Sequence, residues 1–383
     1  MPLHFTPEEF ADRRRRLRIA MVERGLDGLL MFRQESMYYL TGYDTFGYVF
    51  FQCLYFGADG KLTLLTRSAD LRQAQHTSII EDIRIWMDAP DANPSLELKR
   101  ILEEHGCRGR KLGVELEAYG LTARNGKRLE VALEKFVTLV DASDLVTKER
   151  LVKSPAELVY VRKAAELADA AWSEAQRIAA PGAFEGDILA AMHSVIFRGG
   201  GDDPANEFII GSGRDALLCR YYSGRRELEA SDQLTLEFAG TYRHYHSCLM
   251  RTLRVGAAPG VQVEMHQVAR DALLACEDAL RPGKPIGDVF EAHRRVLDKA
   301  GYGKHRLNAC GYSLGSTFAP NWMDWPMFYR DNPLVAAPGM VFFIHIIIAN
   351  SDNGLAMTLG RTSEVTKSGA AVLSRASLDL VAK

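Results

Sequence analysis

The chain has 383 residues, 47% of them hydrophobic, a formal net charge of −2 and six cysteines. Such a length and apolar content suit two folded domains with a core in each, and the near-neutral charge excludes an electrostatic nucleic-acid footprint. No run approaches the roughly 20 apolar residues a membrane span needs, and the start MPLHFTPEEF lacks the apolar h-region of a signal peptide, so a cytoplasmic protein is expected.

The chain opens with a helix signature. Thr6 suits the cap, Pro7 the first helical position and Glu9 the capping-box carboxylate, and Gly25 ends the run. The basic stretch Arg13 to Arg16 is expected on a solvated face of this helix. Leu26 to Phe32, Tyr48 to Phe56 and Lys61 to Thr66 read as strands, and Ser95 to His105 as a helix. No GxGxxG or P-loop cradle occurs, so no cofactor is assigned. This α/β unit closes near Asp141 to Val146, which predicts domains over 1–150 and 151–383.

Ser154 and Pro155 start the second unit, as cap and first helical position of a helix reaching about Ile178. Pro181 and Gly182 break it, a helix follows over Asp187 to Phe197, and Gly199 to Gly201 make a turn in which Asp202 and Asp203 continue. Later come helices over Gln262 to Leu280 and Ile286 to Ala300, and a strand over Met340 to Ile348. Asn321 to Arg330, NWMDWPMFYR, is more aromatic than an ordinary loop and suits a lid or pocket wall. Cys53, Cys107, Cys219, Cys248, Cys276 and Cys310 are widely spaced without a CxxC pair, so most are expected as buried free thiols.

The densest chemistry lies in Leu234 to Val255, LTLEFAGTYRHYHSCLMRTLRV. It reads as a β-hairpin with its turn at Gly240 and Thr241. Across such a ladder Glu237 and Cys248 are expected to converge, and His244, His246 and Cys248 to share one face by the period of two. A carboxylate between Leu236 and Phe238 is costly to bury unless it is paired or functional. For His345, within the apolar run MVFFIHIII, a satisfied core histidine is the ordinary alternative.

The joint VKSPAELVYVRKAA, the element IIGSGRDALL, this hairpin, the Gly-Tyr-Ser-Leu-Gly turn at 311 to 315 and PGMVFFIH at 338 to 345 resemble the creatinase and aminopeptidase P superfamily, peptidase family M24. The resemblance covers nearly the whole chain. It implies an α/β (α+β) architecture: a creatinase-type N-terminal α/β domain, then a C-terminal pita-bread domain, and a homodimer. In the metallopeptidases of that superfamily two Asp, one His and two Glu bind two metals. Here Glu237, Cys248, Tyr312, His345 and Gly360 stand at those positions, so no metal is expected.

The hairpin and the Gly311-Tyr312 turn followed by Pro320 and Trp322 are most similar to the metal-free creatinase and ectoine hydrolase branch. The resemblance implies Glu237 as nucleophile or base in hydrolysis of a non-peptide C–N bond. The substrate expected is a small carboxylate-bearing amidine, amide or ureido compound. Arg220 stands where relatives carry a His; a guanidinium cannot shuttle protons but holds a carboxylate bidentately. Arg220, with Tyr221 and Tyr222, is therefore expected to anchor an anionic group of the substrate, Tyr312, Trp322 and Asp324 are further candidate substrate contacts, and the proton work moves to His244, His246 or His345.

Cys248 has three readings: a thiol nucleophile with His345 and Glu237, a ligand with them of one zinc, or a small buried hydrophobe. An Xaa-Pro dipeptidase and an inactive, binding-only homologue are the alternative functions.

Overall fold

The computed structural model describes residues 3–220 and 224–383. The chain divides into two units, Met1–Arg150 and Leu151–Lys383.

The first unit is an α/β domain on a six-stranded mixed sheet. Its order is Asp82–Trp86, Leu62–Arg67, Cys53–Gly57, Gly28–Met31, Lys111–Val114 and Thr138–Asp141. The pairs flanking Cys53–Gly57 are antiparallel and the outer ones parallel. Its first helix, Pro7–Glu23, begins as its sequence dictates, with Thr6 Oγ1 accepting the Glu9 N–H at 3.3 Å. The basic stretch departs from expectation. Arg13 is fully buried, its guanidinium 4.0 Å from the Phe5 ring centroid and donating to the Tyr39 carbonyl. The expected strand from Tyr48 starts only at Cys53, because Gly47–Val49 forms a 3₁₀ turn.

The second unit is built on a predominantly antiparallel sheet. Seven strands run in the order Asp324–Tyr329, Ala309–Ser313, Val341–Asn350, Leu355–Thr366, Tyr245–Val255, Asp232–Tyr242 and Ile209–Ser212. Two shorter strands, Gly369–Val372 and Val381–Ala382, attach beside them. NWMDWPMFYR is thus not a free loop: Asp324–Tyr329 forms the outer strand of this order, with alternate residues buried. The turn expected at 311 to 315 is likewise strand as far as Ser313.

One face of this sheet is covered by helices. The long helix Pro155–Ile178 starts with a complete capping box between Ser154 and Glu157. Helices Gly260–Ala279 and Gly287–Lys299 pack with Phe342, Ile344, Ile346 and Ile348 in one apolar core. By the alternation of a strand, Phe343 and His345 turn to the opposite face. Among the described residues no helix is long and apolar enough to cross a membrane.

The central hairpin forms, but its turn does not fall at Gly240 and Thr241. Tyr242 pairs with Tyr245, and Arg243 and His244 make the turn, with φ of 52° and 65°. Non-glycine residues seldom take this left-handed conformation. Here the His244 N–H donates to Asp202 Oδ2 at 3.3 Å, and its carbonyl accepts from the Thr317 N–H at 3.1 Å. Gly240 has another purpose. A Cβ there would overlap the Ala164 carbonyl and lie 2.5 Å from the Ala168 nitrogen, so glycine lets the long helix approach the hairpin.

Candidate active site on the open sheet face

Glu237 opposes Met250, Met250 opposes Gly360 and Gly360 opposes His345. Residues paired across adjacent strands point to one face, so Glu237 and His345 share the face opposite the helices. Cys248 opposes Ala239, two residues from Glu237, and joins the same face. Glu237 and Cys248 thus meet diagonally rather than directly across the ladder. Gly360 leaves the stretch of sheet before His345 without a side chain.

Tyr312 comes to this face from another strand and closes on Glu237. Its hydroxyl donates to Glu237 Oε1 at 3.1 Å and accepts the Trp322 indole N–H at 2.8 Å. All three side chains are buried, Glu237 being 7% exposed. Burial pushes the Glu237 carboxyl up to about 7, against the Tyr312 hydrogen bond and the Arg220 charge, which pull it down. A carboxyl held there exchanges its proton near neutrality.

His345 lies with its ring centroid 5.7 Å from that of Tyr312 and 5.4 Å from that of Phe343. Burial, then the Arg220 charge, lowers it to about 4, so the imidazole is neutral at pH 7. Its buried Nδ1 has no hydrogen-bond partner among the described residues. Arg220 is exposed, its Nη1 3.8 Å from Met323 Sδ, with its charge felt by both Glu237 and His345. Tyr221 and Tyr222 lie outside the described residues.

Cys248 is fully buried, with its backbone N–H donating to Thr362 Oγ1 at 2.8 Å. Burial, and then the nearby Glu237 charge, pushes its thiol well above the ordinary range. A protonated thiol is neither a nucleophile nor a ready metal ligand. Among the described residues no group of three or more His, Cys, Asp and Glu is disposed to hold a metal ion.

His246 shares the face of Cys248 by the alternation of its strand, whereas His244 lies outside the ladder. His244 is in the turn, stacked on Phe318 at 4.2 Å. His246 is fully buried, and its Nε2 accepts the Ala205 N–H at 3.0 Å while its Nδ1 meets Thr317 Oγ1 at 3.1 Å. Burial first, then His244, lowers it to about 3. With both ring nitrogens engaged, His246 is not placed to shuttle a proton. Asp324 is buried in a corner with Lys153. A Cβ at Gly315 would lie 3.1 Å from Asp324 Oδ2 and 3.4 Å from Lys153 Cε.

Sequence reasoning missed Glu185, the support of the segment bearing Arg220. Fully buried, Glu185 accepts the Ser212 N–H at 2.8 Å on Oε1 and the Arg226 N–H at 3.0 Å on Oε2. One carboxylate thereby joins both ends of the segment. A Cβ at Gly224 would overlap that carboxylate. The only sequence signal is an acidic residue at a helix start, which usually means a solvated partner of the helix dipole.

Comparison with known proteins fits this architecture. Residues 13–152 match the creatinase/prolidase N-terminal domain, and residues 159–367 match metallopeptidase family M24. The ectoine hydrolase of Halomonas elongata is 27% identical over 97% of this chain and 96% of its own. The Xaa-Pro dipeptidase of Pyrococcus horikoshii is 23% identical over 94% of this chain and 96% of its own. The crystal structure of a dipeptidase from Pyrococcus horikoshii superposes with a TM-score of 0.84 at 24% identity, covering 97% of this chain and all of that one.

Proposed function

Because this chain belongs to metallopeptidase family M24, a family of pita-bread hydrolases, we propose that it hydrolyses a non-peptide C–N bond in a small carboxylate-bearing amidine, amide or ureido compound, without a metal. The observation that carries the reading is Glu237: a buried carboxyl held near pH 7, hydrogen-bonded by Tyr312, on the sheet face that His345 shares and within reach of the Arg220 charge. Deprotonated, it acts as nucleophile on the amidine or acyl carbon, or as base toward the attacking water. Arg220 pairs with the substrate carboxylate, and neutral His345 hydrogen-bonds the polar group being cleaved. The similarity to an ectoine hydrolase supports this substrate class.

A pair of hard divalent ions needs several carboxylate oxygens. The residues at the positions expected to bind them supply one carboxylate, on Glu237. The Tyr312 hydroxyl is committed between Trp322 and Glu237, the Cys248 thiol is protonated, and Gly360 has no side chain. These residues do not fit the pair, and no step of the proposal runs through one. The likeness to an Xaa-Pro dipeptidase favours the second reading, a metallopeptidase acting on Xaa-Pro dipeptides.

Elemental analysis of protein purified without a tag or added metal, followed by a screen of cyclic amidines, guanidino acids and ureido acids, separates the two. Turnover at substoichiometric metal, lost in Glu237→Gln with the fold retained, is expected. Cleavage of Xaa-Pro dipeptides that chelator removes and manganese restores would establish the peptidase instead. A folded protein inert toward every compound would leave a binding role. The active form in this reading is a homodimer, which light scattering tests.

A further inference from the structure

We propose that Trp322 is a positioning residue for Glu237, acting through Tyr312, and that His246 fixes the two segments on which Trp322 depends. The inference rests on the reading of Glu237 as the reacting group and deepens it.

An indole nitrogen only donates, so the 2.8 Å contact from Trp322 Nε1 to Tyr312 Oη has a single direction. Tyr312 thus spends a lone pair on Trp322 and keeps its one hydrogen for Glu237 Oε1. Chained donors polarise one another, which makes the phenol a stronger donor than it would be alone. The carboxylate is held by Oε1, and among the described residues no hydrogen bond engages Oε2.

Trp322 is itself fixed at both ends of its backbone. Its N–H donates to Asn206 Oδ1 at 3.1 Å, and its carbonyl accepts from Thr317 Oγ1 at 3.3 Å. Thr317 has one hydrogen, committed to that carbonyl, so His246 Nδ1 is the donor in its contact with Thr317. His246 Nε2 then carries the lone pair that accepts the Ala205 N–H. One neutral imidazole therefore ties the segment containing Ala205 and Asn206 to the segment containing Thr317 and Trp322. His246 reaches Glu237 through Thr317, Trp322 and Tyr312, as support and not as a proton carrier.

The test reads Trp322 directly and needs no substrate. Nitrogen-15 labelling of the four tryptophans gives indole N–H resonances, and Trp322→Phe identifies the one belonging to Trp322. Glu237→Gln is expected to shift that resonance, since a neutral amide draws less on the Tyr312 hydrogen. Tyr312→Phe is expected to shift it and to abolish its response to Glu237→Gln. Thr317→Val, which keeps shape and loses the hydroxyl, is expected to move it as well.

A Trp322 resonance indifferent to Glu237→Gln overturns the relay, and one indifferent to Thr317→Val removes His246 from it. Should Tyr312→Phe fail to fold, Glu237→Gln alone decides. On any substrate found, Trp322→Phe is expected to lower kcat about tenfold with KM little changed, the pattern of a misaligned Glu237, whereas the substrate contact expected from the sequence would raise KM instead. If the resonances couple but no C–N compound turns over, the positioning stands and the hydrolase reading falls.

Discussion

Glu237 and His345 stand in one cross-sheet row, separated by Met250 and by the bare backbone of Gly360. The row sets an ionisable carboxyl and a neutral imidazole on one face of the sheet, with the Met250 side chain and the bare backbone of Gly360 between them. The Tyr312 hydroxyl then closes on the carboxyl at 3.1 Å.

The raised Glu237 carboxyl fixes the sign of two pH effects. Activity that needs the carboxylate rises with pH through a midpoint near 7. Stability runs the other way. The folded state keeps a proton that the unfolded state releases from pH 4.5 upward, so this group costs stability increasingly as pH rises to about 7. Glu237→Gln should abolish turnover and raise the unfolding free energy, by up to about 3 kcal/mol above pH 7 and by nothing near pH 4. Thermal unfolding of both proteins across pH 4 to 8 checks the window.

Buried imidazoles act in the opposite sense. His246, His293 and His345 are lowered to about 3, 3 and 4, each chiefly by burial. The unfolded chain binds protons at these sites below about 6.5 while the folded chain does not, so stability falls as pH drops through that window. Glu237 offsets part of this between 4.5 and 7. Calorimetric unfolding near pH 5.5 in buffers of different ionisation heat should show net proton uptake, and net release would contradict the neutral assignments.

Cys248 should prove dispensable for chemistry. Its thiol is protonated at neutral pH, so Cys248→Ala should leave turnover within a few-fold and cost about 1–2 kcal/mol of packing. Loss of all turnover in a folded Cys248→Ala protein would restore the thiol to the mechanism.

Gly240 should tolerate no side chain. The atoms a Cβ would meet belong to the backbone of Pro155–Ile178, which cannot step aside as a side chain can. Gly240→Ala should destabilise by about 3 kcal/mol, measured by urea unfolding, whereas Gly260→Ala, with open space around its Cβ position, should change little.

Gly224→Ala should weaken substrate capture more than stability. The added methyl displaces the Glu185 carboxylate and with it the base of the segment bearing Arg220. A higher KM for a carboxylate-bearing substrate, with kcat less affected, is the expected kinetic pattern.

Much of this was legible from strand alternation. Pairing across the hairpin brings Glu237 and Cys248 to one face, and the apolar run around His345 reads as a strand. The hairpin turn was misread because Gly240 looks like turn chemistry. Its reason is a helix 72 to 76 residues earlier, at Ala164 and Ala168, that no local pattern reveals. His246 looked like a proton carrier until Ala205 and Thr317, 41 and 71 residues away, were seen to occupy its nitrogens. Arg13 looked solvated because a helical charge run says nothing of Phe5 and Tyr39 folding over it.

The Glu185 clamp also bears on how such an enzyme can diversify. Ser212 and Arg226 are pinned to a single carboxylate, so the residues between them form a cassette that can vary as long as Gly213 and Gly224, which pack against Arg226 and that carboxylate, are kept. Closing a longer segment between fixed ends costs little, about 0.6 kcal/mol per doubling. Exchanging residues 214–223 between relatives, with both glycines kept, would therefore transplant ligand preference while leaving the Glu237 row and its tyrosine untouched.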